Sequence, residues 1–158
     1  MASGKLDLTM GGPSFRLFEY RDGNVPDYVL LDSAGPASWR RAVYMFNIRT
    51  FQSPLLSAFD CPDPSVQTPK RVQSVTALQA LSLLNNRFLL EHSNLAAQRV
   101  AAEAGTAALD QASIAYRVVL ARDPTDEQRQ TAAHFIGEHG LENLCRVLLN
   151  TNEFLYVD

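Results

Sequence analysis

The sequence predicts an α+β fold that is mainly α, with about five helices packed on a small antiparallel β-hairpin or three-stranded sheet. Short runs rich in aromatic and β-branched residues lie in the first third of the chain, whereas an apolar period of about 3.6 residues runs through the second half. With 158 residues, 46% of them hydrophobic and 20% charged, the chain is long and apolar enough for one core. We therefore expect a single domain, 1–158, with an irregular arm (1–13), a β region (14–48), a Pro-rich loop (49–74) and a helical region (75–158).

The β region begins with two short runs, SFRLFEY at 14–20 and PDYVLLD at 26–32. The pair Asp22-Gly23 between them is typical of a tight turn, so the two runs predict a β-hairpin. Residues 39–48 fit either a helix or a strand. Their β-branched and aromatic residues, and the need of an isolated hairpin for a third strand, favour a strand.

The Pro-rich loop follows, because Pro54, Pro62, Pro64 and Pro69 each remove a backbone donor and fix φ. We expect ordered loop there, apart from one helical turn near 55–58. In the helix that starts near residue 75, apolar residues lie on nearly all sides, which predicts a buried central helix.

Capping residues divide the remaining chain into four further helices. Asn85-Asn86 marks the start of a helix over 87–104 that closes at Gly105, and Asp123-Pro124 ends the next helix. Thr125 and Gln128 form a capping box for a helix that ends at His139-Gly140. The apolar spacing of the last helix predicts an amphipathic face made of Leu141, Leu144, Cys145, Leu148 and Leu149.

Charge and cysteine content exclude several function classes. The 14 basic and 17 acidic side chains give a net charge of −3, and no basic run is present, so we expect no nucleic-acid partner. No apolar stretch reaches the roughly eighteen residues of a membrane span, and the first residues lack the apolar region of a signal peptide. Cys61 and Cys145 lie too far apart for a zinc motif.

The histidines do not form a metal site either. His134 and His139 are five positions apart, so a helix does not place them on one face, and His92 is expected to be a core residue. The chain also lacks the nucleophile elbow, the P-loop, the dinucleotide fingerprint and the haem-attachment motif. We therefore recognise no catalytic motif and expect neither a metal nor a cofactor in this chain.

The candidate catalytic residues are Asp60 and Asp63, which lie in FDCPDP on a backbone stiffened by prolines. Two such carboxylates can bind a divalent cation or act as an acid and base pair. Alternatively, each carboxylate accepts hydrogen bonds from an arginine or from amides of its own loop. This structural interpretation is favoured, because two Asp without a third oxygen-rich neighbour make a poor cation site. The candidates for structural ion pairs are Arg40, Arg41, Arg49, Asp60, Asp63 and Arg71.

Taken in order, RRAVYMF, FDCPD, KR, LQALSLLNN and LNTNEFLYVD resemble the C-terminal part of the planctomycete-type domain of unknown function 1553. The resemblance implies that the chain is the C-terminal portion of a larger domain in an exported bacterial multidomain protein, often found with planctomycete cytochrome c domains. It implies an extracytoplasmic or periplasmic location for the full-length parent. The matching positions are Gly11, Gly12, Pro13, Arg40, Arg41, Tyr44, Phe46, Phe59, Asp60, Pro62, Asp63, Arg71, Gln79, Ala80, Leu81, Leu84, Asn85, Asn152, Glu153 and Phe154.

Two functions from different classes stay open. The first is a non-catalytic helical interaction or structural module, whose partner is the N-terminal portion of the parent or another protein. In the isolated chain, we also expect self-association of two copies through the hairpin. The alternative is part of a hydrolase or metal-dependent site centred on Asp60 and Asp63.

Overall fold

The structure, a computed structural model, describes residues 1–25, 27–31, 35–49, 52–70, 74 and 76–155. The predicted α+β, mainly α class is confirmed. Two short 3-10 helices lie at Pro36–Ser38 and Ala42–Tyr44. The strands and α-helices are β1 (Phe18–Arg21), β2 (Asp27–Leu30), α1 (Pro54–Ala58), α2 (Ala77–Asn85), α3 (Arg87–Ala104), α4 (Ala108–Leu120), α5 (Asp126–His139), α6 (Leu141–Leu149) and α7 (Asn152–Leu155).

The chain divides into two compact units. The helical unit consists of Met1–Lys5 together with Leu83–Asp158, and the hairpin unit consists of Leu6–Ser82. None of the helices in the described ranges is both long and apolar enough to span a bilayer.

The predicted hairpin is present in the hairpin unit. Strands β1 and β2 pair antiparallel, with Phe18 opposite Leu30 and Tyr20 opposite Tyr28. Because side chains alternate along a strand, these four residues share one face. Both strands are shorter than predicted, and the predicted ends of the second run, Pro26 and Asp32, lie outside the described residues.

The predicted strand over 39–48 is wrong. Ala42–Tyr44 form a 3-10 helix, and isolated bridges pair Arg40 with Asp7 and Met45 with Phe15. The aromatic residues that favoured a strand make ring contacts instead. The ring of Phe46 lies 6.0 Å from that of Phe18, and the guanidinium of Arg40 lies 4.1 Å from the ring centre of Tyr44.

Local caps set the boundaries of α3 and α5, as predicted, whereas α4 ends at Leu120, before the predicted Asp123-Pro124. The side chain of Asn86 accepts a hydrogen bond from the Phe88 N–H at 2.9 Å, which starts α3. Thr125 and Gln128 form the expected capping box at the start of α5. Gly105 and Gly140 end α3 and α5 with φ values of 71° and 86°, a conformation that glycine adopts at little cost.

The core of the helical unit combines small side chains on α3 and α4 with larger ones on α6. Helix α3 packs on α4 and α6, and α4 packs on α5 and α6. Burial raises the pKa of the Cys145 thiol to about 12, so this thiol stays protonated near neutral pH and packs as a small apolar group. The buried apolar residues of these helices are Leu89, Ala96, Ala97, Val100, Ala112, Ala115, Val119, Ala132, Leu144, Cys145, Leu148 and Leu149.

The prediction that the first long helix is a buried central helix is wrong. In α2 only Gln79 and Leu83 are buried, whereas Leu78, Leu81 and Leu84 are exposed. Gln79 and Leu83 are four positions apart and therefore share one side of the helix, and the three exposed leucines follow each other at a spacing of three. An apolar pattern around a helix thus did not indicate how many of its sides are covered.

Candidate functional site

Asp60, the first candidate residue, follows α1 and lies in the left-handed region with φ 55°. Both of its carboxylate oxygens accept hydrogen bonds from Ser74. The Ser74 N–H donates at 2.7 Å to Oδ2, and the Ser74 hydroxyl lies 2.9 Å from each oxygen. The side-chain amide of Gln79 donates in turn to the Ser74 hydroxyl at 3.1 Å. These bonds connect the middle of the Pro-rich loop, just after α1, to its end at Ser74 and to the first turn of α2.

Gln79 also completes a capping box that the sequence interpretation missed. Its side-chain oxygen accepts from the Thr76 N–H at 3.1 Å, and its own N–H donates to the Thr76 hydroxyl at 3.3 Å. The same spacing was recognised at Thr125 and Gln128, so the sequence contained the information needed to find it. Gln79 is buried, and its amide oxygen and nitrogen both have partners.

Asp63, the second candidate residue, accepts two hydrogen bonds from Ser65. The Ser65 N–H lies 2.8 Å and the Ser65 hydroxyl 2.6 Å from Asp63 Oδ1, an arrangement typical of an Asx turn. These hydrogen bonds lower the pKa of Asp63, so the carboxylate is ionised near neutral pH and is not poised to act as a general acid.

The candidate arginines do not lie beside these carboxylates within the described residues. Arg40 forms an ion pair with Asp7, with 3.8 Å between Nε and Oδ2. Arg41 donates to the Tyr44 hydroxyl at 3.4 Å, and Arg49 is exposed. Arg71 lies outside the described residues, so its pairing with Asp60 or Asp63 stays a prediction.

The guanidinium of Arg40 is instead enclosed by the irregular arm. It donates to the carbonyl oxygens of Pro13 at 2.8 Å, Thr9 at 3.2 Å and Gly11. The planar fork of arginine suits several acceptors at once. We call Arg40 with its partners in the arm and Tyr44 the Arg40 cluster. It holds the arm against the 3-10 helix at Ala42–Tyr44.

Tyr44 completes this cluster. Its ring lies 4.1 Å from the guanidinium carbon of Arg40 and 5.6 Å from that of Arg41, distances typical of cation–π contacts. Its hydroxyl oxygen accepts from the Gly11 N–H at 2.9 Å. That backbone hydrogen bond is the main cause of a lowered pKa at Tyr44, and the nearby arginines add to it. Sequence reasoning found the two arginines but missed Tyr44 and Asp7 as their partners.

Two further arginines, Arg122 and Arg146, make long-range contacts in the helical unit. Arg122 pairs with Glu153 of α7, with 2.8 Å between Nη2 and Oε2, and donates to Gln128 at 3.1 Å. The pair raises the pKa of Arg122 and lowers that of Glu153. Arg146 donates to the Leu84 carbonyl oxygen at 2.6 Å, which satisfies one of the last carbonyls of α2. Both contacts join residues far apart in sequence, so no local pattern predicts them.

Replacing Asp60 with alanine is expected to lower the free energy of unfolding of the hairpin unit by about 1–3 kcal/mol. The change removes the acceptor of two Ser74 donors and places an alanine in the left-handed region, which alanine adopts at a cost. Urea unfolding followed by the fluorescence of Trp39, the single tryptophan, measures the effect.

Asp60→Asn is the matched control. Asparagine keeps one side-chain acceptor and tolerates the same backbone conformation. The unfolding curve of the Asp60→Asn variant should therefore lie closer to that of the unsubstituted chain. Equal unfolding curves for Asp60→Ala and the unsubstituted chain would show that the Ser74 hydrogen bonds contribute nothing measurable to stability.

Among the described residues, no group of three or more His, Cys, Asp or Glu side chains converges on a point that could hold a metal ion. The candidate carboxylates Asp60 and Asp63 and the guanidinium of Arg40 instead make hydrogen bonds that fix loops. Several of the positions that carry the family resemblance take part: Gly11, Pro13, Arg40, Arg41, Tyr44, Asp60, Asp63, Gln79, Leu84 and Glu153.

Comparison with known proteins identifies the family. A family model described as PSD1, protein of unknown function (DUF1553), matches residues 1–136, which is most of the chain. Searches of curated proteins and of solved structures gave no match. The match confirms the resemblance carried by the arginine, FDCPD and LQALSLLNN segments. The chain belongs to the DUF1553 family.

Proposed function

We propose that this chain is a non-catalytic helical interaction module within a longer, exported bacterial multidomain protein of the planctomycete type. The observation that carries the proposal is an exposed apolar face on the hairpin. Phe18 is 5% exposed, whereas Tyr20 and Leu30 on the same face are 46% and 43% exposed. An apolar face that extends from the core into solvent is typical of a surface that a partner covers.

Aromatic rings contact one another along this face. The ring of Tyr28 lies 5.5 Å from that of Phe18 and 5.4 Å from that of Tyr20, and Phe46 extends the row at 6.0 Å from Phe18. Arg16 lies 5.1 Å above the ring of Phe46. Tyrosine, phenylalanine and arginine are the residues enriched at protein interfaces. A prearranged row of rings loses little conformational freedom on binding, which favours an interaction role.

The partner that we propose is the N-terminal portion of the parent protein. The resemblance of the chain to the C-terminal part of the family's domain supports this choice of partner. In the isolated chain a second copy takes the place of that partner, so the hairpin face is expected to drive self-association. The exported location and the neighbouring cytochrome c domains belong to the same proposal.

Sedimentation velocity and hydrophobic-dye binding on the isolated chain test the proposal. We expect concentration-dependent association that the double variant Tyr20→Ser, Leu30→Ser reduces, with unchanged helical circular dichroism. Val25→Ser is the matched control, because Val25 is exposed but lies in the loop between the strands. The proposal would be contradicted if the unsubstituted isolated chain stayed monomeric and bound no dye. It would also be contradicted if Val25→Ser reduced association as much as the double variant does.

The alternative function, a hydrolase or metal-dependent site centred on Asp60 and Asp63, has less support. The oxygens of Asp60 accept from Ser74, and Oδ1 of Asp63 accepts from Ser65, so cation binding would compete with these hydrogen bonds. Calorimetric titration with Mg²⁺, Ca²⁺ and Zn²⁺ distinguishes the two functions. Stoichiometric binding that is lost in Asp60→Asn and in Asp63→Asn would favour the alternative.

A further inference from the structure

A cleft lies in the helical unit between the first residues of the chain and α3. It is an open depression with a volume of about 370 Å³ and is lined by Ser3, Gly4, Lys5, Leu95, Gln98 and Arg99. Its lining includes no residue of the Arg40 cluster and none of the hydrogen-bonded residues Asp60, Ser74 and Gln79.

Hydrogen bonds fix both walls of this cleft. Ser3 is buried, and its hydroxyl lies 3.0 Å from Nδ1 of His92 on α3. Burial is the main cause of a lowered pKa at His92, so the ring is neutral near neutral pH. Arg99 donates to the carbonyl oxygens of Met1 and Ala2 at 3.3 Å each. The cleft is therefore preformed.

Gly4 brings the backbone close to Arg99. Its φ is 68°, and a Cβ at this position would lie 3.3 Å from Cδ of Arg99. A larger residue would be strained and would crowd the Arg99 side chain. The absence of a side chain at Gly4 thus allows Arg99 to approach the N-terminal backbone, to which its guanidinium donates hydrogen bonds.

The cleft carries two cations on a chain whose net charge is −3. Arg99 pairs through Nε with Glu103 at 2.7 Å, which leaves Nη2 without a partner within the described residues. Among the described residues, no carboxylate lies within ion-pair distance of Lys5. Lys5 and Lys70 are the only lysines in the sequence, so Lys70 offers a matched position for testing the role of Lys5.

The lining favours a carboxylate on an organic chain. Leu95 and the methylene stem of Arg99 offer apolar contact, and Gln98 adds an amide. A carboxylate accepts charge-assisted hydrogen bonds from an ammonium and a guanidinium, and the methylene groups of Asp or Glu pack on the apolar wall. An inorganic ion would use the charges but leave most of the space and the apolar wall empty.

We propose that this cleft binds an acidic segment of a partner protein, whose carboxylate pairs with Lys5 and Arg99 in the lining. The inference rests on the proposed interaction role, because it assigns a second contact surface and the chemistry of the segment that it takes. The two surfaces lie in different units, so variants at each can be tested separately.

Fluorescence anisotropy with a labelled, glutamate-rich peptide at low salt tests the proposal. We expect saturable binding that weakens by about tenfold in Lys5→Gln, which removes one charge-assisted contact. Lys70→Gln is the matched control, because it makes the same charge change at the other lysine and should leave the affinity unchanged. A peptide with glutamine in place of glutamate should bind the unsubstituted chain no more tightly than the glutamate peptide binds the Lys5→Gln variant.

Amine acetylation read by mass spectrometry gives a second measurement that does not depend on any variant. The glutamate peptide should protect Lys5 and not Lys70. Equal loss of affinity in Lys5→Gln and Lys70→Gln, equal binding of the two peptides, or protection of Lys5 by inorganic phosphate as strong as by the peptide would each overturn the proposal. Peptide binding that persists in Tyr20→Ser, Leu30→Ser supports the cleft independently of the hairpin surface.

Discussion

Replacing Leu148 with alanine should lower the free energy of unfolding of the helical unit by about 2–5 kcal/mol. Leu148 is 3% exposed and lies on α6, which packs against α3, α4 and α5. The truncation removes buried methyl groups and leaves a cavity that packed helices close only in part. Four of the nine residues of α6 are buried, so this helix contributes much of the core.

Val147→Ala provides a control at the neighbouring position. Val147 is 49% exposed, and alanine is the better helix former, so the expected change is within about 0.5 kcal/mol. Urea unfolding followed by far-ultraviolet circular dichroism, which reports mainly on the helices, measures both variants. A loss at Leu148 no larger than that at Val147 would mean that α6 is not part of the core.

Replacing Arg40 with alanine should destabilise the hairpin unit by about 2–4 kcal/mol. The Arg40 side chain is 11% exposed, donates to three backbone carbonyls and lies on the ring of Tyr44. Its removal frees the arm from the 3-10 helix. Lysine at this position should restore only part of the stability, because an ammonium cannot reach three separated carbonyls with the geometry of a guanidinium.

Arg41→Ala is the control for this prediction. Arg41 is exposed, and its hydrogen bond to Tyr44 is long at 3.4 Å, so the unfolding midpoint should change little. Trp39 precedes Arg40, and its fluorescence reports on this part of the hairpin unit. Similar losses in Arg40→Ala and Arg41→Ala would show that net charge, and not the enclosed guanidinium, stabilises the arm.

Sequence reasoning succeeded where local chemistry decides the structure. The start of α3 at Asn86, the capping box at Thr125 and the ends at Gly105 and Gly140 depend on residues within one helical turn, and all were predicted. The hairpin was predicted for the same reason, since its turn carries Asp22-Gly23. These features need no knowledge of the rest of the fold.

Sequence reasoning failed where the structure of a segment depends on contacts with residues far away in the sequence. Residues 39–48 have the composition of a strand, but the carbonyls that enclose Arg40 come from the arm, and backbone carbonyls have no sequence pattern. Asp60 was identified from its neighbours in FDCPDP, yet its partner Ser74 lies fourteen positions away. Candidate residues could thus be found from the sequence, whereas their contacts required the structure.

The ion pair between Arg122 and Glu153 makes the last helix dependent on ionic strength. Both side chains are partly exposed, and α7 has only four residues, none of them buried, which is too short for a helix to persist by itself. The screening length falls from about 8 Å at physiological salt to about 3 Å at 1 M, so concentrated salt weakens this contact. Carboxypeptidase digestion should then remove residues of α7 at high salt and leave α3–α6 intact.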